Sequence, residues 1–132
     1  MTSNSTIRAA VIGLGVGERH ATTYAAIPGC VLEAVCDVDP VRLQEAGDRL
    51  GCARRTADYR EITEDPSIDV VSICSYDDVH AEQAVSAFSN GKHVMIEKPI
   101  AQTMAEANAV VNAWCNSGKL ITSNLILRQS PR

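Results

Sequence analysis

The chain has 132 residues, 45% of them apolar and 21% charged, with a formal net charge of −4. This is enough for one globular domain with its own core. Nucleic-acid binding would need clustered Lys and Arg, and a membrane span would need roughly 20 consecutive apolar residues. The sequence has neither, so we expect a cytoplasmic domain with no nucleic-acid partner and no membrane segment.

Short apolar runs alternate with segments of helical periodicity along the chain. The predicted strands are 7–14, 31–36, 54–56, 68–74, 93–96 and 120–127. The predicted helices are 17–27, 40–50, 59–63, 79–88 and 104–117. Alternation of this kind predicts an α/β fold with a doubly wound parallel sheet and right-handed crossovers.

Two helices carry clear boundary residues. Asp39 supplies an N-cap for the second helix, Pro40 opens it and Gly51 ends it. Thr103 and Glu106 form a capping box at the last helix, which Gly118 stops. The buried stripe predicted for that last helix is Met104, Ala107, Val111 and Trp114.

The cysteines and histidines give no sign of a metal site. No Cys-x-x-Cys pair occurs, and the histidines are not spaced along the chain to act as joint ligands. We interpret the thiols as reduced and predict no bound metal. The residues concerned are Cys30, Cys36, Cys52, Cys74, Cys115, His20, His80 and His93.

A glycine-rich turn follows the first predicted strand. Gly13, Gly15 and Gly17 let the backbone turn sharply, and the amide groups there, including that of Val16, face the start of a helix. A helix N-terminus favours an anion, so this turn offers a seat for a pyrophosphate. Its GxGxG spacing is one residue shorter than GxGxxG, and a plain strand-to-helix connection remains the alternative.

Asp37 ends the second predicted strand, about twenty residues after the last glycine. A carboxylate at this place accepts hydrogen bonds from the ribose hydroxyls of an adenosine and repels a 2′-phosphate. The residue therefore favours NAD over NADP, with NADP still possible. Its alternative role is that of a solvated loop residue.

The loop after the fourth predicted strand, Ser75 to His80, lies where open parallel sheets bind ligands. We expect Ser75, Tyr76 and Asp77 to contact the cofactor. Asp77 or Asp78 also suits a helix cap. For His80, a packing or capping role is favoured over catalysis.

Lys98 follows the fifth predicted strand directly and is the candidate catalytic residue. A cationic nicotinamide nearby would favour its neutral amine, which then carries a proton. Glu97 is expected to orient it, and Pro99 to fix the backbone just beyond. The alternative is a surface lysine leaving a strand.

With these residues together, the chain resembles the glucose–fructose oxidoreductase, inositol dehydrogenase and rhizopine-catabolism (Gfo/Idh/MocA) family, from Ala10 to Arg132. Residues 75–80 resemble its Thr-Pro-Asn-x-x-His segment, with Tyr76 in place of the proline and Asp77 in place of the asparagine. Residues 91–94 and 97–99 resemble its most specific motif. Asn124 and Arg128 are similar to the polar residues at the exit of the sixth strand.

This resemblance implies an NAD(P)-dependent oxidoreductase acting on a sugar, a cyclitol or a nucleotide sugar. It implies a Rossmann domain over residues 6–124, after a disordered lead-in at 1–5. Residues 125–132 would begin the connection to a second, substrate-binding domain that is absent here, so the chain is expected to be a fragment or truncated product. Such a chain binds a dinucleotide better than it turns over substrate, and a homo-oligomer is expected.

Two other functions fit parts of the sequence. One is a cofactor-holding module without chemistry of its own, which Lys98 argues against. The other is a class I methyltransferase, because GxGxG with a carboxylate after the second strand also suits S-adenosylmethionine. Such enzymes carry an acidic residue just before the glycine turn, where this chain has Val11 and Ile12.

Overall fold

The computed structural model describes residues 5–125, in which six strands alternate with five helices. The strands are β1 Ile7–Ile12, β2 Cys30–Cys36, β3 Arg55–Thr56, β4 Val70–Ile73, β5 His93–Ile96 and β6 Ile121–Ser123. The helices are α1 Gly17–Ala26, α2 Pro40–Leu50, α3 Arg60–Thr63, α4 His80–Ser89 and α5 Met104–Ser117, with a 3₁₀ turn Asp77–Val79 before α4.

All six strands form one parallel sheet in the order β3-β2-β1-β4-β5-β6. The chain runs outward from β1 to β3 and then returns to place β4 on the other side of β1. The loops that leave β1 and β4 therefore diverge at the carboxyl edge, which opens a crevice there. The predicted doubly wound α/β fold is confirmed.

Apolar side chains cover both faces of the sheet, as expected for a parallel sheet, which helices bury on both sides. On one face, Ile12, Ile73 and Ile96 pack with α4 through Phe88. On the other, Val11 and Val35 belong to a smaller cluster with residues of α1 and α2. These two layers hold the strand ends in fixed positions, and the strand ends carry the site.

The boundaries of α2 follow the predicted residues. The Asp39 carboxylate accepts hydrogen bonds from the amides of Val41 and Arg42, Pro40 is the first helical residue, and Gly51 caps the helix with a φ of 63°. This φ lies in the left-handed region, which glycine adopts without the steric cost that a side chain adds.

The buried stripe predicted for α5 is wrong. Met104 is 75% exposed, Val111 49% and Trp114 38%, whereas Val110 is buried against the core. The capping box is partly confirmed. Thr103 accepts from the Glu106 amide, but the Glu106 carboxylate reaches back to the amide of Gln102 instead of that of Thr103.

Some predictions fall outside the described residues. These concern residues 1–4 of the lead-in and residues 126–132, including Ile126, Leu127 and Arg128. Within residues 5–125, every helix is too short or too polar to cross a bilayer.

Candidate cofactor-binding site

A cleft of about 390 Å³ opens at the carboxyl edge of the sheet, where the loops after β1 and β4 diverge. Parallel sheets bind ligands in such a crevice. The cleft is lined by Ile12, Gly13, Gly15, Cys36, Asp37, Val38, Arg42, Ala57, Tyr59, Cys74, Ser75, Tyr76, Asp78, Val79 and Gln83. Of the residues expected at the cofactor, five share this lining: Gly13, Gly15, Asp37, Ser75 and Tyr76.

Gly13 makes the turn out of β1 possible. Its φ is +88°, and a Cβ atom there would lie 2.5 Å from the backbone of Cys74 and Ser75. Both the conformation and the space exclude a side chain. The Gly13 amide donates to the carbonyl of Cys36, so the turn is tied to the end of β2.

Gly15 and Gly17 have different surroundings. A Cβ atom on Gly15 would meet nothing within 4 Å, so this residue leaves open space at the mouth of the turn. A Cβ atom on Gly17 would lie 2.8 Å from Val11 and 2.9 Å from Cys74. Gly17 therefore brings α1 close to the sheet, which is the role of the third glycine in the longer GxGxxG spacing. Val16, 58% exposed, precedes it as the N-cap residue of α1.

Asp37 is 5% exposed and forms part of the cleft wall. One carboxylate oxygen accepts from the Leu14 amide at 2.8 Å, and the other accepts from the Asp39 amide at 2.8 Å. The guanidinium of Arg42 lies 3.5 Å from the first oxygen. A carboxylate can accept about four hydrogen bonds, so Asp37 retains capacity for hydroxyl donors in the cleft.

Apolar and aromatic side chains complete the Asp37 end of the cleft. Val38, Ala57 and Tyr59 line it, with Tyr76 from the loop after β4. A flat heteroaromatic ring suits such walls. Tyr59 and Arg42 escaped prediction, because residues that reach the cleft from helix starts and short loops carry no local motif.

Hydrogen bonds within the protein fix the loop after β4. Ser75 donates from its hydroxyl to Gln83 at 2.6 Å. His80 is 1% exposed, with its ring nitrogens 2.7 Å from the Pro99 carbonyl oxygen and 2.9 Å from that of Ser75. His80 therefore ties this loop to the loop after β5, as its predicted packing role requires, and it is not among the residues lining the cleft.

Asp77 is exposed and is also outside the cleft lining, whereas its neighbour Asp78 lies within it. The predicted cap by either carboxylate is wrong. The N-cap residue of α4 is Val79, without a side-chain hydrogen bond, because the 3₁₀ turn leads directly into the helix.

Lys98 is exposed immediately after β5, and its peptide bond to Pro99 is cis. Among the described residues, the side-chain partners of Glu97 do not include Lys98, so Glu97 does not orient it by direct contact. The Glu97 carboxylate points to the α1 side of the sheet, where it accepts from Asn124 at 2.7 Å and lies 3.0 Å from His20 Nε2. Successive residues at a strand end face opposite sides, which explains why the two neighbours separate.

Sequence reasoning missed a cluster at this point. His20, Cys74 and Glu97 offer atoms that lie within 4.8 Å of one another, a relation that spacing along the chain does not reveal. Both ring nitrogens of His20 already have hydrogen-bonding partners, Glu97 and Ser72. Burial, with a smaller contribution from the charge of Glu97, raises the pKa of the Cys74 thiol to about 12. The thiol is thus neutral in the wall of the cleft.

The residues of the cleft fit a dinucleotide. The open space at Gly15 admits a phosphate next to the start of α1, and Asp37 offers a carboxylate at the end of β2. Together with the sheet order, these features define a dinucleotide-binding Rossmann domain.

Comparison with known proteins gives the family. Residues 7–125 match the family described as "Oxidoreductase family, NAD-binding Rossmann fold", and the chain belongs to this Gfo/Idh/MocA family. It is 35% identical over 106 residues to myo-inositol 2-dehydrogenase of Thermotoga maritima, covering 80% of this chain and 32% of that protein. It is 37% identical over 112 residues to levoglucosan dehydrogenase of Pseudarthrobacter phenanthrenivorans, covering 78% and 29%.

A solved structure agrees with this assignment. Scyllo-inositol dehydrogenase from Lactobacillus casei, with bound NAD(H) and scyllo-inositol, superposes with a TM-score of 0.86 at 30% identity, covering 95% of this chain and 38% of that one. The chain therefore spans about a third of the length of such relatives. Because these relatives are dehydrogenases, the methyltransferase alternative is not favoured.

Proposed function

We propose that this chain is the NAD-binding part of an oxidoreductase that moves a hydride between nicotinamide and a hydroxyl group of a sugar, cyclitol or nucleotide sugar. The main observation behind the proposal is the cleft where the loops after β1 and β4 diverge, with Gly15 and the buried Asp37 both in its lining. The cyclitol and the sugar correspond to the relatives, an inositol dehydrogenase and a levoglucosan dehydrogenase, and the nucleotide sugar is implied by the family resemblance.

The glycine turn and Asp37 would hold the two halves of the cofactor's adenosine diphosphate. The amides of Gly15, Val16 and Gly17 would face the pyrophosphate, while those of Gly13 and Leu14 hold the turn by donating to Cys36 and Asp37. Asp37 would accept the ribose hydroxyls, and its negative charge favours NAD over NADP. Ser75 and Tyr76 would contact the cofactor from the opposite wall.

The remaining expected contacts lie toward β5 and β6. Asp77, His80, Glu97 and Asn124 stay proposed as part of the cofactor site, although none of them lines the cleft of this chain. His80 and Glu97 act there chiefly by holding loops in place, since their polar atoms are bonded within the protein.

Lys98 would carry the proton of the reaction. Bound NAD supplies the hydride acceptor, and oxidation of a hydroxyl group also releases a proton. The Lys98 amine, exposed at the carboxyl end of β5, would accept that proton in its neutral form. The place of Lys98 after the carboxyl end of β5, on the edge of the sheet at which the cleft opens, supports this role.

We further propose that residues 6–124 form the cofactor domain and that residues 125–132 lead to a second domain with most substrate contacts. A location in the cytoplasm fits the free state of all five cysteines, because thiols persist in reducing compartments. We also propose a homo-oligomer.

Calorimetric titration of the chain with NAD, NADP and S-adenosylmethionine tests the proposal. Saturable binding of NAD, with weaker binding of NADP and none of S-adenosylmethionine, is the expected result. Binding of S-adenosylmethionine alone would refute it, as would the absence of binding by either dinucleotide.

A further inference from the structure

A chain of part-buried polar side chains, with Ser72 fully buried among them, runs along the α1 side of the sheet, from α1 to the exit of β6. Tyr24 Oη lies 2.6 Å from Ser72 Oγ, which lies 3.2 Å from His20 Nδ1. His20 Nε2 lies 3.0 Å from Glu97 Oε1, which also accepts from Asn124 at 2.7 Å. One network thus joins α1, β4, β5 and the segment after β6.

The chemistry of the groups fixes the direction of its hydrogen bonds. An ionised carboxylate only accepts, so His20 must donate to Glu97 from Nε2. With neutral imidazole, Nδ1 then accepts from the Ser72 hydroxyl, and the Ser72 oxygen in turn accepts from Tyr24. Every polar group in the network is satisfied in this arrangement.

The order Ser72, His20, Glu97 is also that of a nucleophilic triad, but a nucleophile needs access to a substrate. Ser72 is 0% exposed, so it cannot attack one. The network therefore holds its side chains in place and does not perform covalent chemistry.

Glu97 is the member of the network that matters for the site, because Lys98 follows it directly. The backbone at this point is held on two sides: the Glu97 amide donates to the Ile73 carbonyl, and the Asn124 amide donates to the Ile96 carbonyl. The Glu97 side chain adds a third tie, and His20 is its partner from another element. The side chains of His20 and Glu97 are only 11% and 13% exposed.

Removal of the His20 ring would leave the Glu97 carboxylate mostly buried with one donor fewer. A buried carboxylate that lacks a donor destabilises the folded state until it is hydrated or accepts a hydrogen bond from a new donor. Water is available beyond the strand end, so the carboxylate would turn outward and take the start of the loop after β5 with it. Lys98 lies at the start of that loop.

We propose that His20 is a positioning residue for Lys98: it holds Glu97 on the α1 side of the sheet and so fixes the strand end from which Lys98 reaches the cofactor. This inference rests on the proposed function, in which Lys98 lies beside bound nicotinamide. It assigns a role to a helix residue 77 positions away from Glu97 in sequence.

The small number of lysines allows a direct test on the 132-residue chain. Only Lys92, Lys98 and Lys119 occur, so reductive methylation with ¹³C-formaldehyde gives at most three lysine signals beside that of the N-terminal amine, and Lys98→Arg identifies one of the lysine signals. Each protein is titrated with NAD, and both the dissociation constant and the movement of the Lys98 signal are measured.

In the unsubstituted chain, NAD should move the Lys98 signal. In His20→Ala that movement should be lost while the dissociation constant for NAD stays nearly unchanged. His20→Gln, whose amide can still donate to Glu97, should restore the movement. The matched control is Tyr24→Phe, which removes the far end of the same network and leaves the His20–Glu97 contact in place, so it should behave as the unsubstituted chain.

An unchanged movement of the Lys98 signal in His20→Ala would overturn this inference and leave the proposed function standing. Absence of NAD binding by the unsubstituted chain would instead refute the proposed function, and the inference with it. Should His20→Ala fail to fold, Glu97→Ala decides, because alanine offers no acceptor to His20: loss of the movement supports the inference, and an unchanged movement overturns it.

Discussion

Asp37 is the residue on which the choice between the two dinucleotides depends. In Asp37→Ala we expect NAD binding to weaken roughly ten- to a hundredfold, since a hydrogen bond to a charged group contributes about 1.5–3 kcal/mol. NADP should suffer less, because the charge that repels its phosphate is gone while Arg42, 3.5 Å from Asp37, remains.

The comparison is made by calorimetry with both dinucleotides. Asp39→Asn is the matched control: it keeps a capping side chain on α2 and does not alter the cleft wall, so both affinities should stay as they are. Equal losses of affinity for NAD and NADP in Asp37→Ala would contradict the assignment of Asp37 to the ribose hydroxyls.

Lys98 should matter for turnover far more than for cofactor binding. General acid–base catalysis contributes roughly 10²–10⁴-fold, so Lys98→Met should depress kcat by about that range in a form of the protein that carries its substrate domain. The NAD dissociation constant should remain nearly the same. Lys119→Met removes a different lysine and serves as the control. Normal turnover in Lys98→Met would show that Lys98 is a surface residue without a catalytic role.

At the scale of single residues, the sequence predicted what a local motif defines. Gly13, Gly15 and Asp37 meet in one cleft because each lies within three residues of the carboxyl end of a strand. The partner of Glu97 was not predictable in this way. His20 and Glu97 come together because α1 packs on the sheet and the His20 side chain reaches from it to Ser72 of β4 and to Glu97 after β5. An alternation of apolar residues does not say which polar side chains will meet beneath a helix.

At the scale of an element, Gly15 and Gly17 lie in the same turn before α1, and we expect their substitution by alanine to have different effects. Gly17→Ala should destabilise the fold by about 1–3 kcal/mol, because its Cβ would press on Val11 and Cys74. Gly15→Ala should leave stability nearly intact, since its Cβ meets nothing, yet it should weaken NAD binding by filling the space for the phosphate.

Urea unfolding and calorimetry on both variants separate these effects. The pair would contradict the assignment if Gly15→Ala bound NAD as tightly as the unsubstituted chain. A fully stable Gly17→Ala would equally show that close packing of α1 does not depend on this glycine.

Helix existence was predictable in every case, but the rotation of α5 was not. Its residues are apolar around most of the circumference, and its one charged residue, Glu106, is engaged at the N-terminal cap. With so little amphipathic contrast, the pattern cannot decide between neighbours such as Val110 and Val111. Packing against α4 and the sheet decides it in favour of Val110.

At the scale of the whole molecule, exposed apolar side chains flank β6, which is the edge strand of the sheet. Leu120 is 73% exposed and Leu125 43%, close in sequence to the exposed Trp114 of α5. A surface of this kind favours self-association. We expect light scattering to show a mass that rises with concentration, and Leu120→Gln to reduce that rise. A clean monomer at high concentration would contradict this prediction.

Amide NMR of the ¹⁵N-labelled chain during titration with NAD shows whether NAD binds in the cleft between the loops after β1 and β4. We expect saturable shifts concentrated at residues 13–17, Asp37 and residues 75–76, where the cleft lining meets the ends of β1, β2 and β4. Signals of the outer face of α5 should stay in place. Saturable shifts confined to other parts of the chain, with the amides of Gly15 and Asp37 unmoved, would contradict it.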